Sequence, residues 1–299
     1  MIYNNVVDLI GNTPMLKLNN LGVEDLYVKL EKVNPGGSIK DRAVYEMING
    51  LEQRGELKPG DVLVEATSGN TGIALSMIGR LKGYEVIIVM PETMSIERRN
   101  LMKAYGARLI LTEGPKGMAG SIEKAEEILN SDSKYKSLKQ FENESNPAAH
   151  YKNTGKEIFD DLEDVDIFIA GVGTGGTLTG VGKYLKERNP NIKIVAIEPK
   201  NSPVISENRA GSHKIQGIGA NFVPKNYDPS IVDEVILVDD RDAFEMVRLL
   251  ADKEGILVGI SSGANVFGAV EVAKKYKGKK IVTVAPDGID KYMSMGLFE

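Results

Sequence analysis

Short runs of β-branched and other apolar residues recur along the chain: VLVEA at 62–66, EVIIVM at 85–90, RLILT at 108–112, DIFIAGV at 166–172, KIVAIE at 193–198, ILVGI at 256–260 and KIVTVA at 279–284. Most are followed by a glycine or polar turn and then by a segment of helical spacing, and that alternation predicts an α/β fold. The runs do not alternate strictly between apolar and polar, as expected of parallel strands covered by helices on both faces. A polar stretch at 130–147 breaks the pattern near the middle and ends in Asn-Pro, which favours an extended or turning chain. It is the best candidate for a domain junction. There is no internal repeat and no low-complexity segment.

Composition narrows the chemistry. The 299 residues carry 42 acidic and 37 basic side chains mixed along the chain, for a net charge of −5. No basic face is set aside, so nucleic acid is not an expected partner. The first residues lack a basic start and a sustained apolar segment, and no apolar run is long enough to cross a bilayer, so a cytoplasmic protein without membrane contact is expected. Cysteine is absent and the histidines are His150 and His213, which excludes disulfides, thiolate zinc sites, a cysteine nucleophile and a histidine-rich metal site.

In open α/β sheets ligands bind beyond the carboxyl ends of strands, and four loops at such places carry chemistry. The first runs from Asn34 to Arg42 after the strand expected at 26–32. Gly36 and Gly37 allow close backbone approach, and Ser38 is suited to cap a helix running to about Arg54. Lys40 then falls in the first helical turn, where the helix dipole disfavours an ammonium and so favours the neutral amine needed for Schiff-base chemistry. A capped helix with a solvated lysine is the plain alternative. The second loop is Thr67, Ser68, Gly69, Asn70, Thr71 and Gly72, whose hydroxyls, amide and backbone N–H groups suit a carboxylate or phosphate. The third, Gly171 to Thr177, has the form of an oxyanion cradle at a helix start. It also satisfies G-x-G-x-x-G through Gly171, Gly173 and Gly176, with Glu198 ending the next strand, so a nicotinamide-dependent oxidoreductase is a second reading. The fourth places Ser261 and Ser262 where ILVGI meets a helix, and alone they read as caps.

Together, NPGGSIKDR at 34–42, TSGNTG at 67–72, the glycine loop and the serine pair resemble the cysteine synthase (O-acetylserine sulfhydrylase) family, within the tryptophan-synthase-like (fold type II) pyridoxal-phosphate enzymes. The resemblance extends to IGNTP at 10–14, MPETMSIERR at 90–99, QFENESNP at 140–147 and KIQGIGANFVP at 214–224. It implies two open, mostly parallel three-layer α/β/α domains with pyridoxal 5'-phosphate in the cleft between them. A smaller mobile domain is expected at 36–145 and a larger one at 13–35 plus 146–299, after an N-terminal segment at 1–12. By the same resemblance Lys40 carries the cofactor as a Schiff base and shuttles the α-proton. Thr67, Ser68, Gly69, Asn70, Thr71 and Gln140 hold the substrate carboxylate, with Asn70 also touching the cofactor's phenolic oxygen. Gly173, Thr174, Gly175, Gly176 and Thr177 bind the phosphate, and Ser261 faces the pyridine nitrogen. A neutral hydroxyl there makes the ring a weaker electron sink, which favours β-elimination through an aminoacrylate and its capture by sulfide or another thiol. Gly217 belongs to a loop beside the substrate, and on that loop Asn221 stands where the family usually has glycine. Its amide either orients a water or second amino acid, or merely tolerates a positive φ. The expected reaction is O-acetyl-L-serine plus sulfide giving L-cysteine and acetate. An alternative within the class takes L-cysteine as donor, releases hydrogen sulfide and forms L-serine or lanthionine. The resemblance further implies a homodimer, and some relatives dock on serine acetyltransferase, a partner that the sequence leaves open for this chain.

Overall fold

The computed structural model describes residues 2–298. The chain opens with β1 (Met15–Leu18), β2 (Leu26–Leu30) and α1 (Lys40–Gln53), followed by β3 (Val62–Ala66), α2 (Asn70–Leu81), β4 (Glu85–Pro91), α3 (Ile96–Ala104) and β5 (Arg108–Thr112). Next come α4 (Gly117–Ser131), β6 (Tyr135–Lys136), α5 (Ser145–Ala149) and α6 (Lys156–Asp161), with a π-helical turn (His150–Gly155) joining the last two. The remainder is β7 (Ile167–Gly171), α7 (Gly176–Arg188), β8 (Lys193–Pro199), α8 (Val204–Glu207), β9 (Glu234–Val238), α9 (Asp240–Glu254), α10 (Ile260–Lys275) and β10 (Ile281–Ala285).

These strands form two sheets. One has the order β5-β4-β3-β6 and is parallel throughout. The other has the order β1-β2-β10-β7-β8-β9 and is parallel except for the β1/β2 pair. Each is covered on both faces, which is why its strands are apolar on both sides. In the four-stranded sheet, Leu63, Val86 and Ile88 pack under α1, α2 and α3, while Val62, Val64 and Ile87 pack under α4. In the six-stranded sheet, Ile169 and Ile197 meet α9 and α10, whereas Phe168 and Ala170 meet α7.

Chain order reverses between β7 and its neighbour β10, because α7 leads outward to β8 and β9 while α10 returns the chain to β10 on the other side. Such a switch point opens a crevice at the carboxyl ends of the two strands. Asn265 of α10 holds it open, donating to Val284 O at 2.9 Å and accepting from Gly171 N at 2.8 Å.

Some local expectations are revised. ILVGI is not a strand: Val258 makes an isolated bridge to Gly288, and Gly259 caps α10. Ile256, Val258 and Ile260 are core residues between two helices while Leu257 is exposed, a use that a five-residue apolar run does not distinguish from a strand. The polar stretch at 130–147 includes β6, which pairs with Val62 and Leu63 of β3. Among the described residues no helix is long and apolar enough to cross a membrane.

Candidate active site

Between the sheets lies a cavity of about 350 Å³, lined by Ile39, Lys40, Ser68, Gly69, Asn70, Thr71, Met118, Gln140, Phe141, Gly171, Gly173, Thr174, Gly175, Thr177, Gly217, Ile218, Ala220, Ser261, Asn265, Val284 and Pro286. Three of the four loops read from the sequence supply most of its polar wall, and the serine loop supplies Ser261. Lys40 is the sole ionisable side chain among these residues.

Lys40 begins α1, and its backbone N–H donates to Ser38 Oγ at 3.2 Å. Burial holds its ammonium below the usual lysine range, opposed by the charge of Asp287. The helix start is bolted down two residues later. Arg42 binds Glu31 through Nε at 2.7 Å and Nη2 at 2.9 Å, and Glu157 through Nη1 at 2.6 Å and Nη2 at 2.7 Å. Lys29 adds an ion pair to Glu157 at 3.1 Å, and these cations hold the Glu157 carboxyl down to about 2 against burial. Removing one member of such a buried network typically costs about 3–5 kcal/mol, so the network fixes where Lys40 sits.

On the four-stranded side, Asn70 starts α2 and Gly69 caps it. Thr67 lies behind the cavity wall, buried, its Oγ1 accepting from Gly69 N at 3.4 Å. Thr71 Oγ1 donates to Gln140 Oε1 at 2.7 Å. The Gln140 carbonyl in turn accepts from Asn146 Nδ2 at 2.7 Å and Asn226 Nδ2 at 2.9 Å. A Cβ on Gly69 would meet no atom within 4 Å, so this loop borders open space.

The Gly173–Thr177 loop is the opposite case. A Cβ on Gly173 would stand 2.4 Å from Gly217 O, one on Gly175 2.7 Å from Tyr227 N, and one on Gly176 2.0 Å from Asn146 Oδ1. Gly175 also needs its φ of +83°. Protein packed against the outside of the loop thus dictates its glycines, and it leads into the amino terminus of the 13-residue α7. His150, buried in the π-helical turn, is held well below its usual range chiefly by burial and is therefore neutral. Its Nε2 lies 3.3 Å from Thr177 Oγ1 and its Nδ1 lies 3.0 Å from Thr154 Oγ1, steadying a cradle hydroxyl. Ser261 is buried in the first turn of α10, beneath Gly217, whose φ is +102°.

Asn221 stands apart. It has φ +65°, is exposed, accepts from Ser202 Oγ at 2.7 Å through Oδ1 and does not line the cavity. Glu198, the acidic residue of the dinucleotide reading, is buried and accepts from Ile205 N, Ser206 N and Ser206 Oγ. It caps α8 and is spoken for. Sequence reasoning missed Asp287, Asn146, Asn226, Asn265 and His150. The signal available for them was weak, consisting only of polar residues inside or beside apolar stretches.

This donor set fits an aromatic phosphate monoester carried on lysine. The cradle offers backbone N–H groups and two hydroxyls at a helix start, which meet a dianion without a cationic side chain. Asn70 donates one Nδ2 hydrogen to Asp287 Oδ2 at 2.7 Å and has the other to offer in the cavity that it lines. Fold and site together define a two-sheet α/β protein with one lysine and two loops of N–H and hydroxyl donors around a single cavity. The chain belongs to the family described as pyridoxal-phosphate dependent enzyme, whose profile matches residues 6–287. It is 51% identical to a cysteine synthase of Staphylococcus aureus (strain N315) over 99% of this chain and 97% of that protein. It is similar in structure to a cysteine synthase of Entamoeba histolytica, with TM-score 0.96, 41% identity and coverage of 100% and 91% of the two chains. It is also similar to a hydrogen sulfide-producing enzyme of Fusobacterium nucleatum, with TM-score 0.94, 49% identity and coverage of 98% and 99%. The cofactor is therefore pyridoxal phosphate, and the nicotinamide reading is set aside.

Proposed function

We propose that the chain replaces the β-substituent of a small amino acid, converting O-acetyl-L-serine and sulfide to L-cysteine and acetate. The observation that carries this reading is the meeting of Lys40, with its depressed proton affinity, and the two oxyanion-binding loops in one small cavity. The relative at 51% identity supports the choice of reaction. The cofactor, when bound, supplies an electron-withdrawing ring that acidifies the α-hydrogen and allows the β-substituent to leave. Lys40 anchors it and moves the proton at Cα, being the sole titratable side chain on the cavity wall. Ser68, Asn70, Thr71 and Gln140 bind the substrate carboxylate with Thr67 behind them, while Gly173 to Thr177 hold the phosphate and Ser261 faces the ring nitrogen.

The four-stranded unit, residues 36–145, is read as the part that closes over a bound carboxylate. Met118 and Phe141, both from this unit, line the cavity and exclude water from the reacting carbon on closure. Gln140 Oε1 already accepts from Thr71 Oγ1, so the two loops close as one surface. Cysteine as donor, with release of hydrogen sulfide, is the second reading, favoured by the likeness to the Fusobacterium nucleatum enzyme. A homodimer and a complex with serine acetyltransferase complete the proposal, both checked by light scattering with and without that partner.

The deciding experiment offers O-acetylserine, O-phosphoserine, serine and cysteine to the purified enzyme, each with and without sulfide. Cysteine formed fastest from O-acetylserine and sulfide is the expected outcome. Sulfide and serine from cysteine alone, at a higher rate, would install the second reading.

A further inference from the structure

The roles assigned so far leave a buried carboxylate next to the cavity-lining residue Pro286 unused. Asp287 follows β10 and is fully buried. Its Oδ2 accepts from Asn70 Nδ2 at 2.7 Å and from Tyr292 Oη at 2.6 Å. Asn70 belongs to the four-stranded unit, 217 residues earlier, so the first of these bonds spans the cleft. The Asp287 backbone is paired too: it bridges Ser38, two residues before Lys40, and its carbonyl accepts from Gly259 N at 3.0 Å. The second oxygen, Oδ1, has no hydrogen-bond partner among the described residues. A Cβ on Gly259 would lie 2.0 Å from it, which places that oxygen at the capped start of the 16-residue α10. The positive end of a helix dipole favours a carboxylate there.

We infer that Asp287 is a positioning residue of the reaction, holding the Asn70 amide in one orientation from across the cleft and supplying the negative charge that answers Lys40. The inference rests on the reading of Lys40 as cofactor anchor and proton carrier. An ionised carboxylate can only accept, so Asn70 must turn its Nδ2 toward Asp287, and the second hydrogen of that nitrogen is the donor it can offer a substrate carboxylate. Burial lowers the proton affinity of Lys40, and Asp287 is the group that opposes it. Burial holds Asp287 itself above the usual carboxylate range, opposed in part by Tyr292, Asn70, Lys291 and Arg98. These groups surround it: Asn70 from α2, Arg98 from α3 with its guanidinium 4.9 Å from the centre of the Tyr292 ring, Lys291 and Tyr292 from the following turn, and Lys40 from α1. A lysine that must take and return a proton needs both forms within reach at working pH. The Asp287 charge sets that balance without touching substrate.

The test uses the full chain freed of cofactor, so it assumes nothing about the substrate. Lys40 is labelled with pyridoxal and borohydride across a pH series, and peptide mapping isolates its midpoint, with circular dichroism as the check on folding. Asp287→Asn is expected to move the midpoint to lower pH. Tyr292→Phe, which keeps the carboxyl but removes one of its two donors, is expected to move it the same way and less. In the cofactor-loaded enzyme both variants should raise KM for the amino-acid donor more than they lower kcat, since Asn70 is loosened. A folded Asp287→Asn protein with the wild-type midpoint overturns the inference, and if that variant does not fold, an unchanged midpoint in Tyr292→Phe overturns it instead. A shifted midpoint in proteins that turn over no β-substituted amino acid upholds Asp287 and sinks the proposed reaction.

Discussion

The two oxyanion-binding loops look alike in sequence and are built differently. Gly173 to Thr177 is wedged: backbone or side-chain atoms stand 2.0–2.7 Å from any Cβ placed on Gly173, Gly175 or Gly176. The Thr67 to Gly72 loop has Gly69 against open space. One loop is finished before any ligand arrives and the other is not. A cofactor that stays bound benefits from a fixed cradle, whose cost is met once, on folding. A substrate that enters and leaves at every turnover needs a wall that can move. Glycine therefore has two meanings here: in the cradle, as at Gly72 where a Cβ would stand 2.7 Å from Met102 Cε, nothing larger fits, whereas Gly69 leaves the backbone open to approach.

Lys40 stands on the seam between the loops, and its loss should have the largest effect. Lys40→Ala is expected to abolish the visible absorbance of the lysine-bound cofactor and to lower turnover by at least about 10²–10⁴-fold, the range for a lost acid–base group. A purified variant that keeps both the band and the rate would refute the anchor.

The comparison itself is tested by adding one methyl group to each loop. Gly176→Ala forces a Cβ onto Asn146 Oδ1, and Asn146 also donates to Thr174 Oγ1 at 3.0 Å, so the cradle shifts as a whole. Overpacking of this kind costs about 1–3 kcal/mol, and cofactor should dissociate measurably faster on gel filtration or dialysis. Gly69→Ala, with φ −112° and free space, should leave cofactor retention and thermal stability within about 0.5 kcal/mol of wild type. It should act on KM for the amino acid instead. Equal losses of cofactor from the two variants would erase the distinction drawn above.

How much of this was legible in the sequence follows from how local each feature is. A strand, a polar loop and a helix start occupy a dozen consecutive residues, so Lys40, the 67–72 loop and the 171–177 loop could be found by reading along the chain. Asp287 and Asn70 meet only because β10 returns beside β7 and the two sheets face each other. Nothing in Pro286, Asp287, Gly288 as a string marks it as more than a turn. Asn146 has the same history, since its amide serves Gln140 and Thr174 on opposite sides of the cleft. Among the strands, MLKL at 15–18 and EVILV at 234–238 were passed over. The first is four residues long and pairs antiparallel at a sheet edge, and the second is an edge strand with partly exposed side chains. ILVGI was misread in the other direction, because burial makes a helix lead-in look like a core strand.

The four-stranded sheet also carries a carboxyl whose titration can be followed. Glu65, the penultimate residue of β3 and two before Thr67, is buried and accepts from Ser137 Oγ at 2.9 Å and Leu138 N at 3.1 Å. Burial pushes it up to about 7. With the folded-state value above the unfolded one near 4.5, its favourable contribution is complete below about pH 4.5 and is lost as pH rises through about 7. The shift corresponds to at most about 3 kcal/mol. Glu65→Gln keeps an acceptor for both donors and removes the charge, so its melting temperature should exceed that of wild type at pH 8 and match it near pH 4.5. Asp41, raised by burial to about 7, titrates over the same window in both proteins and cancels in the difference. Melting curves that run parallel at every pH would show that Glu65 does not titrate there.

The smallest effect is expected at Asn221, the one departure from the family pattern in the loops around the site. Two features of its placement bear on its role. Its φ of +65° lies in the left-handed region, which glycine adopts freely and asparagine tolerates better than most residues. Its amide oxygen is engaged by Ser202 Oγ at 2.7 Å, away from the cavity wall, where Ala220 is the nearest residue of the loop. An amide so held does not orient a nucleophile at the reacting carbon. Asn221→Gly relieves the backbone and loses one part-buried hydrogen bond, two changes of opposite sign and each about 1 kcal/mol. Asn221→Asp keeps an acceptor for Ser202 and brings a charge that water screens. Both variants are therefore expected to give wild-type proportions of cysteine, serine and thioether from O-acetylserine and from cysteine, measured side by side by chromatography. A product ratio that moves toward serine in Asn221→Asp would mean that the loop turns its side chain inward during turnover. The departure from glycine would then belong to the reaction rather than to the backbone.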